Sequence, residues 1–524
     1  MSVKAWDPKQ LMGKEDLTGI DSVVLIGYDQ LNLDTWPDEI SDTKKPLLFI
    51  ELSAWFHKIP YHKQKIAFHM SAFRHFAMEC SQKRHNVYYI LTKESMGSEL
   101  KNLLDSNSHL KVSFMIPNEW ELRRAFHEIK VFWPDRVWEI NNGFFIADPE
   151  DWKNKIGPGY RMEFFYREMR RTTGYLMDTD NPLGGNWNYD EKNRKPLPAG
   201  IRVPTVTYLS PDSITETVIE QVQKEYPDHF GYIDEFNWAV TRRDALKLLD
   251  QFIEERLSKF GPFEDAMAAG QPFLFHSVLS PYLNTGLLLA REVCKKALAA
   301  YHQGKISLPS VEGFIRQIIG WREFVHIYYE ALMPDIRETN YFGYKENLPQ
   351  LFWDGQTDMH CLSDTVETVL KYGYSHHITR LMVPSNFSNL TMTDPRQLNE
   401  WFWFAYLDAW EWVVLPNVLG MSTFADGGIL ASKPYISSGN YIRKMSNYCS
   451  GCRYNVHKKT GEDACPFNYL YWNFIDRERD TISENGRMPF MVSMFDKKSE
   501  EEKVAIRNDS ERFLNNLKRY SKNI

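Results

Sequence analysis

Short apolar runs alternate with amphipathic segments over residues 20–150. "DSVVLIG" and "PLLFIEL" read as strands. "HKQKIAFHMSAFRHFAMECSQKRH" has helical spacing, with Ile66, Phe73, Phe76 and Ala77 on one face; "NVYYILT", "GSELKNLLDS" and "LKVSFMIP" then read as strand, helix and strand. Apolar strands separated by helices predict a parallel sheet covered on both faces. No G-x-G-x-x-G follows the first strand, so a dinucleotide fingerprint is absent. Residues 151–235 change character. The helical "MEFFYREMRRTTGYLM" leads into "DTDNPLGGNWNYDEKNRKPLPAG", whose Pro, Gly, Asn and Asp content predicts a long connection between domains. From residue 236 the period is mostly helical, in "DALKLLDQFIEERLSKF", "EGFIRQIIGWREFVHIYYEAL" and "LNEWFWFAYLDAWEWVV". The expected organisation is an α/β domain with a doubly wound parallel sheet (1–150), a connector (151–235) and an all-helical domain (236–524).

Length supports this division: 524 residues exceed the roughly 250–300 at which a single core stops growing. No apolar run is long enough to span a membrane, and "MSVKAWDPKQLMGKED" lacks the apolar centre of a signal peptide. Six cysteines in such a chain do not make a secreted disulfide framework. The expectation is a cytoplasmic protein with reduced thiols. A net charge of −7 argues against indiscriminate nucleic-acid binding but not against a local basic groove.

Three of the six cysteines crowd into "YCSGCRYNVHKKTGEDACPFNYLYW". Cys449 and Cys452 form a C-x2-C hook, and Cys465 follows after twelve residues, just before Pro466. Such thiolates can grip an iron–sulfur cluster or zinc, with unrelated core cysteines as the bland reading. A fourth ligand would come from Cys80, Cys294 or Cys361. "HSVLSPYLNTGLL" (276–288) offers Ser277 and Ser280 at a helix start, suited to phosphates or simply to capping. "IIGWREFVHIYY" (318–329) places Arg322 and Glu323 in an apolar helix.

Together, "LSPYLNTGLL" and "GWREF" resemble the flavin-binding helical domain of the photolyase/cryptochrome superfamily. "MEFFYREMRR", "NFSNL", "PNVLGMSTFADGG", "KPYISSGNYI" and the cysteine spacing narrow the resemblance to the iron–sulfur bacterial cryptochromes and photolyases, the prokaryotic (6-4) photolyases. The resemblance implies an α/β antenna domain, a connector and an FAD-binding helical domain. It also implies light-driven repair of (6-4) pyrimidine–pyrimidone lesions flipped out of duplex DNA, by a monomer in the bacterial cytoplasm. In that family four cysteines hold a [4Fe–4S] cluster, and the upstream ligand matches Cys361 in "MHCLSDT".

The resemblance further implies roles for single residues. Ser277, Leu279 and Ser280 line the FAD phosphates. Arg322, Asn417 and Asp408, the last expected in the helix "FAYLDAWEW", sit near the flavin. Val414 stands where relatives carry a polar or acidic group beside the flavin. His377 of "YSHHITRLM" faces the lesion and His376 supports it, with Tyr435 and Tyr441 in the same pocket and Met421 as an apolar wall. A histidine of ordinary pKa is suited to donate a proton there. Trp353, Trp401 and Trp403 are electron-transfer candidates; Phe402 takes the place of a tyrosine found in relatives. Asp29 in "IGYDQL" lines the site of a 6,7-dimethyl-8-ribityllumazine antenna, where an acidic contact of relatives falls on Trp55. Asp190 and Asp265 are candidates for Mg²⁺. Two other readings remain: a blue-light cryptochrome photoreceptor without repair, and an iron–sulfur DNA-binding module without flavin.

Overall fold

The computed structural model describes residues 6–37, 45–52, 59–484 and 486–520. Trp55 lies outside them. Five strands, β1 (Ser22–Ile26), β2 (Leu47–Leu52), β3 (Val87–Thr92), β4 (Lys111–Met115) and β5 (Val137–Ile140), form one parallel sheet in the order β3-β2-β1-β4-β5. β2 is buried along its whole length, as its unbroken apolar run requires. Its one charge, Glu51, is matched inside the sheet by Arg74, whose Nε and Nη2 donate at 2.8 and 2.6 Å, and by the Tyr89 hydroxyl. Helices α1 (Lys63–Gln82), α2 (Met96–Ser106) and α3 (Trp120–Phe132) connect the strands. The sequence pattern missed α3 and β5. On α3 only Phe126 and Ile129 are buried, while Val131 and Phe132 face solvent, so the apolar period is weak.

Helix Met162–Thr173 ends at Gly174, whose φ of 72° gives a left-handed turn, so its last residue lies four before the end of the stretch read as helical. Within the connector, helix Ser213–Glu225 docks on α1: the Arg74 guanidinium donates to Gln221 at 2.8 Å, and His75 meets Asp212 at 2.8 Å. The rest of the described chain is mostly helical, apart from irregular stretches and a short hairpin pairing Met177–Asp178 with Asn181–Pro182, and no described helix is long and apolar enough to cross a membrane.

One long predicted helix breaks. Pro395–Ala405 stops, and helix starts again at Glu411–Leu415, so Asp408 lies in a gap rather than in a helix. The break is held from outside. The Leu407 amide donates to Gly373 O (2.8 Å), and Lys65 on α1 donates to Trp403 O (2.5 Å) and Ala409 O (2.6 Å). Four π-helical stretches, Phe252–Arg256, Arg316–Arg322, Leu381–Ser385 and Pro416–Ser422, interrupt the remaining helices. Such insertions re-aim side chains and recur at functional sites.

His62, just before α1, pins the α/β domain to the helical one. Its Nε2–H is 3.0 Å from both Val369 O and Leu370 O, while Nδ1 accepts from the Gln64 amide at 3.0 Å. Gly231, at φ +76°, backs the ring so closely that a Cβ there would stand 1.9 Å from Nε2. Burial lowers the His62 pKa from 6.5 to about 4.

Two outcomes follow. Gly231→Ala should destabilise the protein by roughly 1–3 kcal/mol more than Gly159→Ala, because overpacking is added to backbone strain; Gly159 also has positive φ but meets nothing within 4 Å. Chemical denaturation of both variants checks this. Between pH 6.5 and 4 the unfolded chain binds a proton at His62 that the folded chain refuses, so stability falls as pH falls through that window. His62→Gln should remove up to one proton's slope, about 1.4 kcal/mol per pH unit, from that decline.

Candidate active site and metal centre

The gap at Asp408 gathers the first site. Arg380 Nη1 and Nη2 donate to Asp408 Oδ1 and Oδ2 at 3.1 and 3.0 Å, the Ser280 hydroxyl donates to Oδ2 at 2.6 Å, and Asn284 donates to the Asp408 carbonyl at 2.8 Å. Arg380 also donates to Ser375 O (2.6 Å) and stacks 4.2 Å above Tyr406. Sequence reasoning found Ser280 and Asp408 but passed over Arg380, although an arginine in "YSHHITRLM" needs a partner in so apolar a stretch. Arg322 belongs to a different cluster. It pairs with Glu323 at 2.6 Å and covers Phe145 (4.3 Å) and Trp412 (5.4 Å), and Glu323 in turn accepts the amides of Ile146 and Ala147. Asn417 donates to Val413 O within its own helix, and Val414 and Met421 are buried.

Ser277 lines a partly enclosed pocket together with Asn237, Trp238, Arg256, Val278 and Tyr282. Arg256 is wholly buried, and none of its three guanidinium nitrogens has a hydrogen-bond partner among the described residues. A buried, unmatched guanidinium is costly, and five donors in a planar fork suit phosphate. Val278 holds φ +58°, unusual for a β-branched residue. Ser277, Arg256 and the adjoining Leu279–Ser280 turn therefore fit an anionic cofactor linker such as the FAD diphosphate. Arg256 was not found from sequence, where nothing set it apart from other helical arginines.

The histidine pair becomes a triad of rings. His376 is buried and stacks on His276 with centroids 4.3 Å apart and planes 9° apart; Thr379 Oγ1 is 3.0 Å from its Nε2. His377, next to it, is exposed to solvent. Desolvation and Arg380 lower its pKa to about 4; burial, His377 and Arg256 lower His276 to about 3; burial and His276 hold His376 well below its ordinary value. All three are neutral at neutral pH, which corrects the expectation of an ordinary histidine pKa. The half-buried Tyr435 and Tyr441 have raised pKa values, chiefly from desolvation, and both feel Arg194 and Asp265. Arg194 pairs with Asp190 at 2.9 Å and approaches Asp265 at 3.7 Å, and Arg316 meets Asp190 at 2.5 Å. The two carboxylates expected for Mg²⁺ are thus joined by an arginine.

The tryptophans separate. Two residues along a helix point about 200° apart, so Trp401 and Trp403 face opposite ways. Trp403 meets Tyr61 edge-on at 6.4 Å, while the wholly buried Trp401 donates from Nε1 to Phe352 O at 3.0 Å, next to Trp353. In the α/β domain, Asp29 follows β1 and accepts from Asn118, beyond β4, at 2.8 Å. β1 and β4 are neighbours where the strand order reverses, the usual crevice for ligands in such sheets.

Four thiols converge elsewhere. Cys361 in the first turn of helix His360–Tyr372, Cys449 and Cys452 around a short turn, and Cys465 at the start of helix Pro466–Arg477 line one pocket. None is in a disulfide. Gly439 keeps the space open: a Cβ there would lie 2.8 Å from Cys465 Sγ. Burial and then the other three thiols raise the Cys361 pKa far above normal. Among the described residues, no three His, Cys, Asp or Glu side chains close in tightly enough for a single metal ion. The donor set is four thiols, soft ligands that suit an iron–sulfur cluster or zinc. Cys80 and Cys294 are buried outside this ring.

Comparison with known proteins places this architecture. The deoxyribodipyrimidine photo-lyase-related protein family matches residues 24–238. A (6-4) photolyase of Agrobacterium fabrum is 40% identical over 506 residues, covering 95% of this chain and all of the relative. The solved class III photolyase of Agrobacterium tumefaciens superposes with a TM-score of 0.56 at 15% identity, over 94% of this chain and 97% of its own. The Synechocystis sp. PCC6803 cryptochrome gives 0.53 at 13%, over 88% and 93%. An α/β sheet domain joined to a helical domain is thus the photolyase/cryptochrome fold, and identity sustained across the full length of a relative means that the chain belongs to the photolyase family, among the deoxyribodipyrimidine photo-lyase-related proteins.

Proposed function

We propose that the protein is a light-driven DNA-repair enzyme that reverses (6-4) pyrimidine–pyrimidone photoproducts, acting as a cytoplasmic monomer on UV-damaged duplex DNA. The observation that carries this reading is the joining of two chemistries in one helical domain: a buried Ser280–Asp408–Arg380 site, and a neutral histidine at its rim whose ring reaches solvent. The full-length Agrobacterium relative bears the name (6-4) photolyase. The expected division into residues 1–150, 151–235 and 236–524 stands as part of the proposal.

Bound FAD supplies light absorption and the transferable electron. The chain does the rest. Arg256 and Ser277 neutralise and orient the diphosphate, and the Arg380–Asp408 pair gives the cofactor's polar edge a fixed donor and acceptor. His377, neutral and accessible, donates an N–H hydrogen bond to the lesion where negative charge builds. Its low pKa means that it is neutral at rest and acts as a hydrogen-bond donor rather than as an acid. His376, clamped between His276 and Thr379, orients its neighbour. Tyr435 and Tyr441, kept protonated, supply neutral donors, and Met421 provides an apolar wall. Lesion bases are already poorly stacked, so flipping them out is cheap. Asp29 and Asn118 would receive a ribityl-lumazine antenna. Mg²⁺ at Asp190 and Asp265 would have to displace Arg194.

His377→Ala should retain flavin and DNA binding yet lose repair by about 10²–10³-fold, the usual cost of removing one hydrogen-bond donor aimed at developing negative charge. His376→Ala should lose less. Repair per absorbed photon with fully reduced flavin measures both. Parent-level repair by His377→Ala would leave a photoreceptor as the better reading.

The cysteine ring is proposed to hold a [4Fe–4S] cluster. Purified protein should be brown and contain four irons per chain, as such clusters require. Cys361→Ala should fold poorly, because metal binding and folding are coupled at such sites. One zinc and no iron on elemental analysis would sink this assignment.

A further inference from the structure

The C-terminal tail brings an oxidisable ring to the aromatic column that leads out of the proposed flavin site. Tyr520 stacks on Trp353 with centroids 4.2 Å apart and planes 26° apart. The contact is built, not incidental. Tyr520 N donates to Leu348 O (2.9 Å), Gln350 N donates to Lys518 O (2.9 Å), and Arg519 donates to Asn347 O (2.7 Å) and Thr391 O (2.9 Å). The tail is thereby laced along the segment that precedes Trp353.

Inward from Trp353 the path is continuous. The Phe352 carbonyl that accepts the Trp401 indole N–H at 3.0 Å is bonded directly to the Trp353 amide nitrogen. Trp401 meets Tyr406 edge-on at 5.6 Å, and Tyr406 lies 4.2 Å beneath Arg380, the partner of Asp408. Four rings, Tyr406, Trp401, Trp353 and Tyr520, therefore connect the Arg380–Asp408 site to the surface.

We propose that Tyr520 is the terminal electron donor of this column during photoreduction of the flavin. The proposal rests on the reading that the Asp408 site holds a flavin. When Trp401 gives up an electron to light-excited oxidised flavin, the vacancy moves to Trp353. The indole N–H of Trp353 is buried with no acceptor among the described residues, so Trp353 cannot shed a proton to trap the vacancy. Tyr520 is only partly buried. It loses one electron to Trp353 and its phenolic proton to bulk water, which leaves Trp353 restored and Tyr520 as a neutral radical. A dithiol in solution returns one hydrogen atom per event and becomes a disulfide after two.

The competing phenol, Tyr406, is poorly suited to this task. It is wholly buried, its hydroxyl is tied to Ser375 at 3.0 Å, and the Arg380 cation over its ring opposes a positive vacancy. Phe402, stacked on Tyr406 at 5.0 Å, cannot be oxidised in its place.

The test uses full-length holoprotein with oxidised flavin, illuminated and freeze-quenched for electron paramagnetic resonance. The parent should show a tyrosyl radical whose splitting changes with ring-deuterated tyrosine. Tyr520→Phe should lack that signal, show a longer-lived tryptophan radical and photoreduce flavin several-fold more slowly with dithiol. Trp353→Phe should also abolish the tyrosyl signal. With flavin reduced chemically in the dark beforehand, Tyr520→Phe should repair lesions at the parent rate. An undiminished tyrosyl signal in Tyr520→Phe, no such signal in the parent, or defective repair by pre-reduced Tyr520→Phe would each overturn the proposal. A parent that shows the Tyr520 radical but repairs no lesion sinks the repair reading and upholds this one.

Discussion

A buried carboxylate that cannot be left unmatched organises the centre of this protein. Asp408 is 6% exposed, and an uncompensated charge at such a depth costs several kcal/mol. Arg380 answers it with two parallel hydrogen bonds and Ser280 with a third. To present that carboxylate, the chain gives up helix between Ala405 and Glu411, and Lys65 crosses from the α/β domain to cap two of the freed carbonyls. The same arginine stands beside His377 and helps to hold it neutral. One ion pair thus couples the interface between the domains, the helix break and the protonation state of the candidate catalytic histidine.

The second organising device is controlled crowding. Gly231 leaves no room behind His62, and Gly439 opens the floor beneath Cys465. In both places a missing Cβ lets a functional or anchoring side chain approach the backbone closely. Arg256 shows the complementary case: a cation buried without a protein partner, stable only if its cavity is made for an anion.

Much of the fold was legible in the sequence because burial and periodicity agree. β1 to β3 are largely apolar runs of strand length, β4 alternates, and α1 is a long helix buried on most of its faces. α3 and β5 escaped notice because they cover the sheet edge with half-exposed faces. Asp408 was chosen correctly as a residue needing a reason, but its helix was not real: "FAYLDAWEW" has helical apolarity, and only contacts from Lys65 and Gly373, distant in sequence, show that the backbone departs from it. The cysteine ring followed from spacing plus resemblance; proximity of Cys361 to the other three is a tertiary fact. Arg256, His276, Arg380 and Tyr520 were invisible for the same reason, since each derives its meaning from a partner at least 28 residues away or from a cavity. Histidine pKa values are equally unreadable from sequence, because they report enclosure.

The central claim is that the Asp408 site and its rim of histidines serve light-driven reversal of one kind of DNA lesion. The most direct measurement takes purified holoprotein with reduced flavin and two oligonucleotides, one bearing a defined (6-4) photoproduct and the other a cyclobutane dimer, each under blue light and in darkness. The account predicts restoration of the (6-4) oligonucleotide in light and none in darkness, with the cyclobutane dimer left intact or repaired far more slowly. An illuminated sample in which the (6-4) product persists unchanged would contradict it.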